Sequence, residues 1–243
     1  MRRFLPTFLL ITLVLAIYPF IGKDENTVAV TGLPWQIEVL PDGSSKVFGV
    51  TLGQTTLGEA AAQLGDDMEL AVMVARGEAG SLEMYYGQYR AGLLSAKLVL
   101  ATDMDADSIN SMRENAVEKD VLETGARKYR LNRDDHAKAF KAVIQTIACV
   151  PAVNLDHEII TKRFGEADEV IQKNNGVTHY LYPDRGLDVI LNEDGKEVLQ
   201  YVAPAEFSRL REPVSYTHLR AHETVRWISY AVFCLKKGGG GGG

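Results

Sequence analysis

Several residues and motifs that would suggest a chemistry are scarce or missing in this chain. Of its two cysteines, Cys234 lies in a C-terminal segment that we set aside below, so Cys149 has no second thiol with which to form a disulfide. Cys149 stands in the largely apolar run 143–150, which indicates a buried thiol rather than a nucleophile. No Gly-x-Ser-x-Gly sequence, phosphate-binding glycine-rich loop or Cys-x-x-Cys pair precedes residue 213. We therefore favour a protein without enzymatic activity and predict no cofactor.

Clusters of basic residues are also missing, and the chain as a whole is acidic. The 243 residues carry a net charge of −6, from 26 basic and 32 acidic side chains. Four of the basic residues and one acidic residue lie beyond residue 212, so residues 1–212 carry 22 basic and 31 acidic side chains and a net charge of −9. Binding to nucleic acid needs clustered Lys and Arg to neutralise phosphates, so we predict no nucleic-acid partner.

The C-terminal segment 213–243 has the character of a sequencing artefact. From Val214 to Thr224 it reads Val-Ser-Tyr-Thr-His-Leu-Arg-Ala-His-Glu-Thr, which resembles a translated library adapter, and it ends in six consecutive glycines. A homopolymer that follows an apolar stretch has no folding rationale. We expect the native chain to end near Glu212, and we do not interpret His218 and His222 as part of a zinc site.

The N-terminus carries the signals of export. Arg2 and Arg3 precede the uncharged stretch from Phe4 to Ile21, and Lys23-Asp24-Glu25 follows it. Eighteen residues are at the lower limit for crossing a hydrocarbon core of about 30 Å, and the flanking charges place the N-terminus inside. The segment 1–22 is therefore predicted to anchor the body in the inner membrane, with the body in the periplasm. The alternative is a cleaved signal peptide, for which Val14 and Ala16 supply small residues.

The first part of the body, residues 23–130, is predicted as one α+β unit with a helical connector. Pro41-Asp42-Gly43 supplies the turn of a hairpin, and Thr55 or Thr56 can cap a short helix that Gly65 ends. Strands are predicted at Glu69 to Arg76, Ser81 to Tyr86 and Ser95 to Ala101. A helix with Ile109 and Met112 on one side follows.

The second unit, residues 131–212, has clearer turns. A helix from Leu155 to Phe164 closes at Gly165, and turn residues separate strands at Val177 to Tyr182, Leu187 to Leu191 and Val198 to Val202. Superposing Gly165 on Gly65 aligns the helix and the strands that follow it in both units. The predicted fold class is thus α+β, with an N-terminal transmembrane helix and two similar units, each a helix on a three-stranded antiparallel sheet.

The second unit carries a resemblance to known binding modules. Its helix, its glycine and a meander with Tyr182 and Asp194-Gly195-Lys196 resemble the SmpA/OmlA (BamE) outer-membrane assembly lipoproteins and the repeats of β-lactamase inhibitor protein. The body is also similar to uncharacterised proteobacterial proteins that carry the segments Leu33 to Glu38 and Gly195 to Val202. The resemblance implies a module that binds an envelope protein. The chain departs from the lipoproteins because it lacks a lipidation cysteine.

Two groups of side chains are candidates for binding. Aromatic residues on the predicted sheets could anchor a partner; these candidates are Tyr85, Tyr86, His179, Tyr180 and Tyr182. Asp103, Asp105 and Asp107 alternate ahead of Glu114, as the carboxylates of a calcium loop do, but an acidic helix N-terminus with Asp105 or Asp107 as its cap explains the same pattern.

Two further functions stay open. The first is a hydrolase in which His179 acts with Asp184 or Asp188. The second is a structural spacer, which would have neither a concave surface nor an exposed apolar patch.

Overall fold

The structure is a computed structural model that describes residues 30–75, 79–122, 125–173, 176–193 and 195–211. The predicted membrane segment, residues 1–22, and the segment 213–243 lie outside these residues. Within the described ranges, no helix is both long enough and apolar enough to span a bilayer.

A small antiparallel sheet opens the body. It consists of β1 (Glu38–Val39), β2 (Ser45–Val47) and β3 (Val50–Thr51). The predicted hairpin turn is confirmed, because the Asp42 carboxylate accepts hydrogen bonds from both the backbone N–H and the hydroxyl of Ser44. Phe48 then packs edge-on against the rings of Tyr89 and Tyr201. These ring contacts fix the small sheet on the larger one.

The rest of the strands form one ten-stranded antiparallel sheet. In chain order they are β4 (Glu69–Val74), β5 (Ser81–Ala91), β6 (Leu94–Thr102), β7 (Glu118–Val121), β8 (Arg127–Arg130), β9 (Ile144–Pro151), β10 (Glu169–Gln172), β11 (Val177–Tyr182), β12 (Leu187–Asn192) and β13 (Val198–Val202). Their order across the sheet is β10-β11-β12-β13-β9-β6-β5-β4-β8-β7.

Short helices connect these strands. They are α1 (Leu57–Leu64), α2 (Ala106–Glu114), α3 (Arg133–Ala139), α4 (His157–Phe164) and α5 (Ser208–Arg211). Polar residues that accept a backbone N–H begin four of them, as the sequence predicts for short helices; these residues are Thr56, Asp105, Asn132 and Asp156.

The predicted fold class is wrong in its sheets, because the two units do not form separate three-stranded sheets. β9 pairs with β6 on one side and with β13 on the other, so the sheet runs without a break through the predicted boundary at residues 130 and 131. β9 is buried along nearly its whole length, from Ile144 to Pro151. A strand buried on both faces has a continuous apolar sequence rather than an alternating one, which explains why periodicity does not reveal it.

The two halves nevertheless share a local arrangement. The hydroxyl of Tyr86 donates to the carbonyl oxygen of Gly65 over 3.1 Å, and that of Tyr182 donates to Gly165 over 2.9 Å. Each half contributes four adjacent strands, β4-β5-β6-β9 and β10-β11-β12-β13, whose order is mirrored about the β9–β13 pair. The segment α2-β7-β8-α3 is an insertion between the third and fourth strands of the first half.

The sheet has two buried faces. The face that we call the helix face packs against side chains of α1, α2 and α4, among them Leu57, Met112 and Phe164. The opposite face, which we call the second face, carries a smaller apolar cluster in its centre. This cluster comprises Ala71, Met73, Val99, Ala101, Ala148, Val150, Ile190 and Val198.

Candidate functional site

Three of the five predicted binding residues are core tyrosines on the helix face. Tyr86, Tyr180 and Tyr182 expose 2%, 8% and 3% of their surface. Burial raises the pKa of Tyr86 and of Tyr182 to about 12, and both hydroxyls are already bonded to glycine carbonyls. Tyr85 lies on the second face and is half-buried. Tyr86, Tyr180 and Tyr182 therefore have little accessible surface with which to contact a partner.

The structure brings His179 and Asp188 together on the second face. Nδ1 of His179 lies 2.8 Å from Oδ2 of Asp188, and the two residues are 8% and 3% exposed. Gln200 lies opposite Asp188 on β13 and is buried as well. Burial lowers the pKa of the nearby Lys173, and the charge of Asp188 opposes part of that shift. Asp184 lies in the 3₁₀ turn Pro183–Arg185 that follows β11.

This pair can orient an imidazole, and no hydroxyl or thiol of the described residues is hydrogen-bonded to it. Among them, the hydrogen bond of His179 is made to Asp188 alone. Oδ1 of Asp188 and Nε2 of Gln200 are buried and find no hydrogen-bond partner within the described ranges. A carboxylate that holds one imidazole nitrogen fixes the ring orientation and the tautomer, which is the arrangement that a general base requires.

The four predicted calcium ligands lie along one helix and the loop before it. Asp105 is the N-cap of α2 and accepts the backbone N–H of Ser108 over 2.8 Å. Glu114 is the last residue of the same helix, about 13 Å further along its axis. Asp103 precedes the helix and Asp107 lies in its first turn. The described part of the chain holds no group of three or more side chains placed to bind one metal ion.

The two edges of the large sheet differ in chemistry. β7 forms one edge and reads Glu-Lys-Asp-Val, with Glu118 in a salt bridge to Arg130. β10 forms the other edge and reads Glu-Val-Ile-Gln, and all four residues are exposed. Val170 and Ile171 expose 50% and 38% of their surface. β10 was not among the predicted strands, since four exposed residues are too few for a periodic signal.

A cleft of about 820 Å³ lies beside the β5–β6 hairpin and the end of β9. Three cations, Arg90, Lys97 and Lys196, are among its lining residues, and none of those residues is acidic. The cleft could not be predicted from the sequence, because residues 90, 97 and 196 are far apart in the chain. The strand order β13-β9-β6-β5 brings them to the same cleft.

Comparison with known proteins gives no relative. No family model, no curated protein and no solved structure matches the chain.

Proposed function

We propose that this protein is a binding module on the periplasmic side of the inner membrane, and that it binds an envelope protein by pairing β10 with a strand of that partner. The observation that carries the proposal is the exposed apolar edge at β10, where Val170 and Ile171 are accessible.

The backbone of β10 can accept another strand. Lys173 donates its N–H to the carbonyl of Val177, so the alternation of an antiparallel ladder directs the N–H and C=O groups of Val170 and Gln172 away from β11. Such outward groups are a template for an added strand, and the alternate side chains supply specificity.

The contrast between the edges supports β10 as the binding edge. Proteins commonly protect an edge strand with charged residues, and β7 has three in succession, from Glu118 to Asp120. The centre of β10 has none, although Glu169 precedes the apolar pair and Lys173 follows it. A partner strand with an apolar centre and opposite charges at its ends would fit this edge.

Site-specific photocrosslinking in intact cells tests the proposal. A photoreactive residue at Val170 should give an adduct with a second protein, and the same residue at Val121 on β7 is the matched control, because Val121 is also exposed on an edge. Ile171→Lys should abolish the adduct, and a melting temperature close to that of the unchanged chain would show that the fold persists, since Ile171 is 38% exposed. The proposal is contradicted if Val170 reacts no more than Val121, or if its adducts contain only a second copy of this chain.

The buried pair of His179 and Asp188 favours a second candidate function, a hydrolase. The 2.8 Å contact is the geometry that a base and its orienting carboxylate need. A panel of ester, amide and phosphate substrates tests it with the full chain and with Asp188→Asn. Turnover that falls at least about a hundredfold in the variant would support the hydrolase, and turnover that is absent from the unchanged chain would remove it.

A further inference from the structure

The cleft beside the β5–β6 hairpin combines an open volume with positive charge that the described residues do not neutralise. Lys196 donates to the side-chain oxygen of Asn154 over 3.3 Å, and this acceptor carries no charge that could neutralise the ammonium group. None of the salt bridges within the described ranges involves Arg90, Lys97 or Lys196. Three such cations in an acidic chain create a local site for an anion.

An apolar side chain lies next to these cations. Leu93 is at the tip of the β5–β6 hairpin, where Gly92 has a φ of 59°, and Leu93 is fully exposed at 107%. An exposed leucine beside Arg and Lys is the pattern by which protein surfaces contact lipid, since the apolar group enters the interface and the cations meet the headgroups.

The hairpin also contacts the start of the body. The Tyr89 hydroxyl donates to the carbonyl oxygen of Gly32 over 2.8 Å, so the start of the body is attached to the hairpin.

We infer that the cleft lined by Arg90, Lys97 and Lys196 binds the phosphate of anionic phospholipid headgroups, with Leu93 inserted among the lipids beside it. The inference rests on the membrane localisation in the proposed function and adds a second contact with the bilayer. Each cation near an anionic leaflet contributes about a fivefold factor in affinity, so three contribute on the order of a hundredfold.

Hydrogen exchange on the full chain in vesicles tests the inference. The chain is reconstituted in vesicles of neutral phosphatidylcholine and in vesicles of which about one-third is phosphatidylglycerol. We expect the amides of residues 88–97 to exchange at least about tenfold more slowly in the anionic vesicles, and high salt should remove the difference. Equal exchange in the two vesicles would overturn the inference.

A charge-matched pair of variants separates the cleft from net charge. Arg90→Gln, Lys97→Gln and Lys196→Gln together should abolish the slowing. Lys46→Gln, Arg133→Gln and Lys141→Gln together remove the same charge from exposed positions elsewhere and should retain it. Leu93→Ser alters only the exposed tip and should reduce the slowing. Loss of the effect in the control triple variant would overturn the inference.

A further arm identifies the source of the phosphate. Millimolar glycerol phosphate added to neutral vesicles should not slow exchange in residues 88–97, and equal slowing there would point to a soluble ligand and overturn the lipid assignment. Loss of the lipid response while the Val170 crosslink persists overturns this inference alone. Loss of the crosslink while the lipid response persists overturns the proposed protein partner alone.

Discussion

The hydroxyls of Tyr86 and Tyr182 make equivalent hydrogen bonds at two places in the chain. Each crosses from the second strand of its half to the glycine that ends the preceding helix, and so fixes the helix against the sheet. Gly65 and Gly165 have φ values of 101° and 82°, which favour glycine, and their carbonyls are left free for the tyrosines. The local geometry thus depends on the side chain and the backbone together.

Removal of one hydroxyl should therefore weaken the fold by a small, measurable amount. Tyr182→Phe and Tyr86→Phe should each lower the free energy of unfolding by about 1 kcal/mol, because each variant loses one part-buried hydrogen bond. Chemical denaturation measures the change. Tyr180→Phe is the control, because Tyr180 packs its ring against His157 and its hydroxyl makes no hydrogen bond to the described residues. A loss in Tyr180→Phe as large as in the other two variants would contradict this account.

At the scale of elements, the turn between β11 and β12 packs closely against the backbone of β13. Gly186 has a left-handed φ of 66°, and its carbonyl accepts the N–H of Val202 over 2.9 Å. A Cβ atom at this position would lie 2.0 Å from the carbonyl oxygen of Val202. The turn and β13 therefore approach each other in a way that only glycine permits.

Gly186→Ala should consequently be among the more damaging substitutions in the chain. We expect a loss of about 3 kcal/mol in the free energy of unfolding, from left-handed strain and from the forced movement of Val202. Gly125→Ala is the matched control, because Gly125 has a φ of 82° with open space around it, and it should cost about 1 kcal/mol. An equal decrease in the free energy of unfolding in the two variants would show that the close approach to Val202 does not contribute to the cost of Gly186→Ala.

Elements with explicit turns were predictable from the sequence, and elements at the centre and edges of the sheet were not. Strands β11, β12 and β13 are confirmed, because Pro183 to Gly186 and the segment around Gly195 mark their limits. β9 lacks both turn residues and alternation, and β7 and β10 are too short to show a period. Strand order was beyond reach for a different reason, since the pairing of β9 with β6 and β13 joins residues far apart in the chain.

The candidate site was partly predictable at the level of residue pairs. Alternation along β11 separates His179 from Tyr180, as predicted, and the short turn brings Asp188 back within hydrogen-bond distance of His179. The burial of Tyr86 and Tyr182 could not be inferred, because the pattern of a strand does not say which of its faces a helix covers.

For the whole molecule, the continuous sheet predicts a single unfolding transition. Two independent units would melt separately, whereas halves that share the β9–β13 ladder should unfold together. The guanidinium carbon of Arg163 lies 4.4 Å from the centroid of the Trp35 ring. The fluorescence of Trp35 therefore reports on this tertiary contact. In a Trp227→Phe chain, Trp35 fluorescence and far-ultraviolet circular dichroism should give coincident curves. Two separated midpoints would contradict a single cooperative sheet.

The central position of β13 in the sheet affects the order in which the strands can pair. Among the described strands, β13 (residues 198–202) is synthesised after all the others, yet it lies in the middle of the sheet between β12 and β9. Until β13 is synthesised, β9 and β12 each have one edge without a partner strand. A chain synthesised only as far as β12 therefore exposes two unpaired strand edges, and it is prone to pair with other chains until β13 fills the gap.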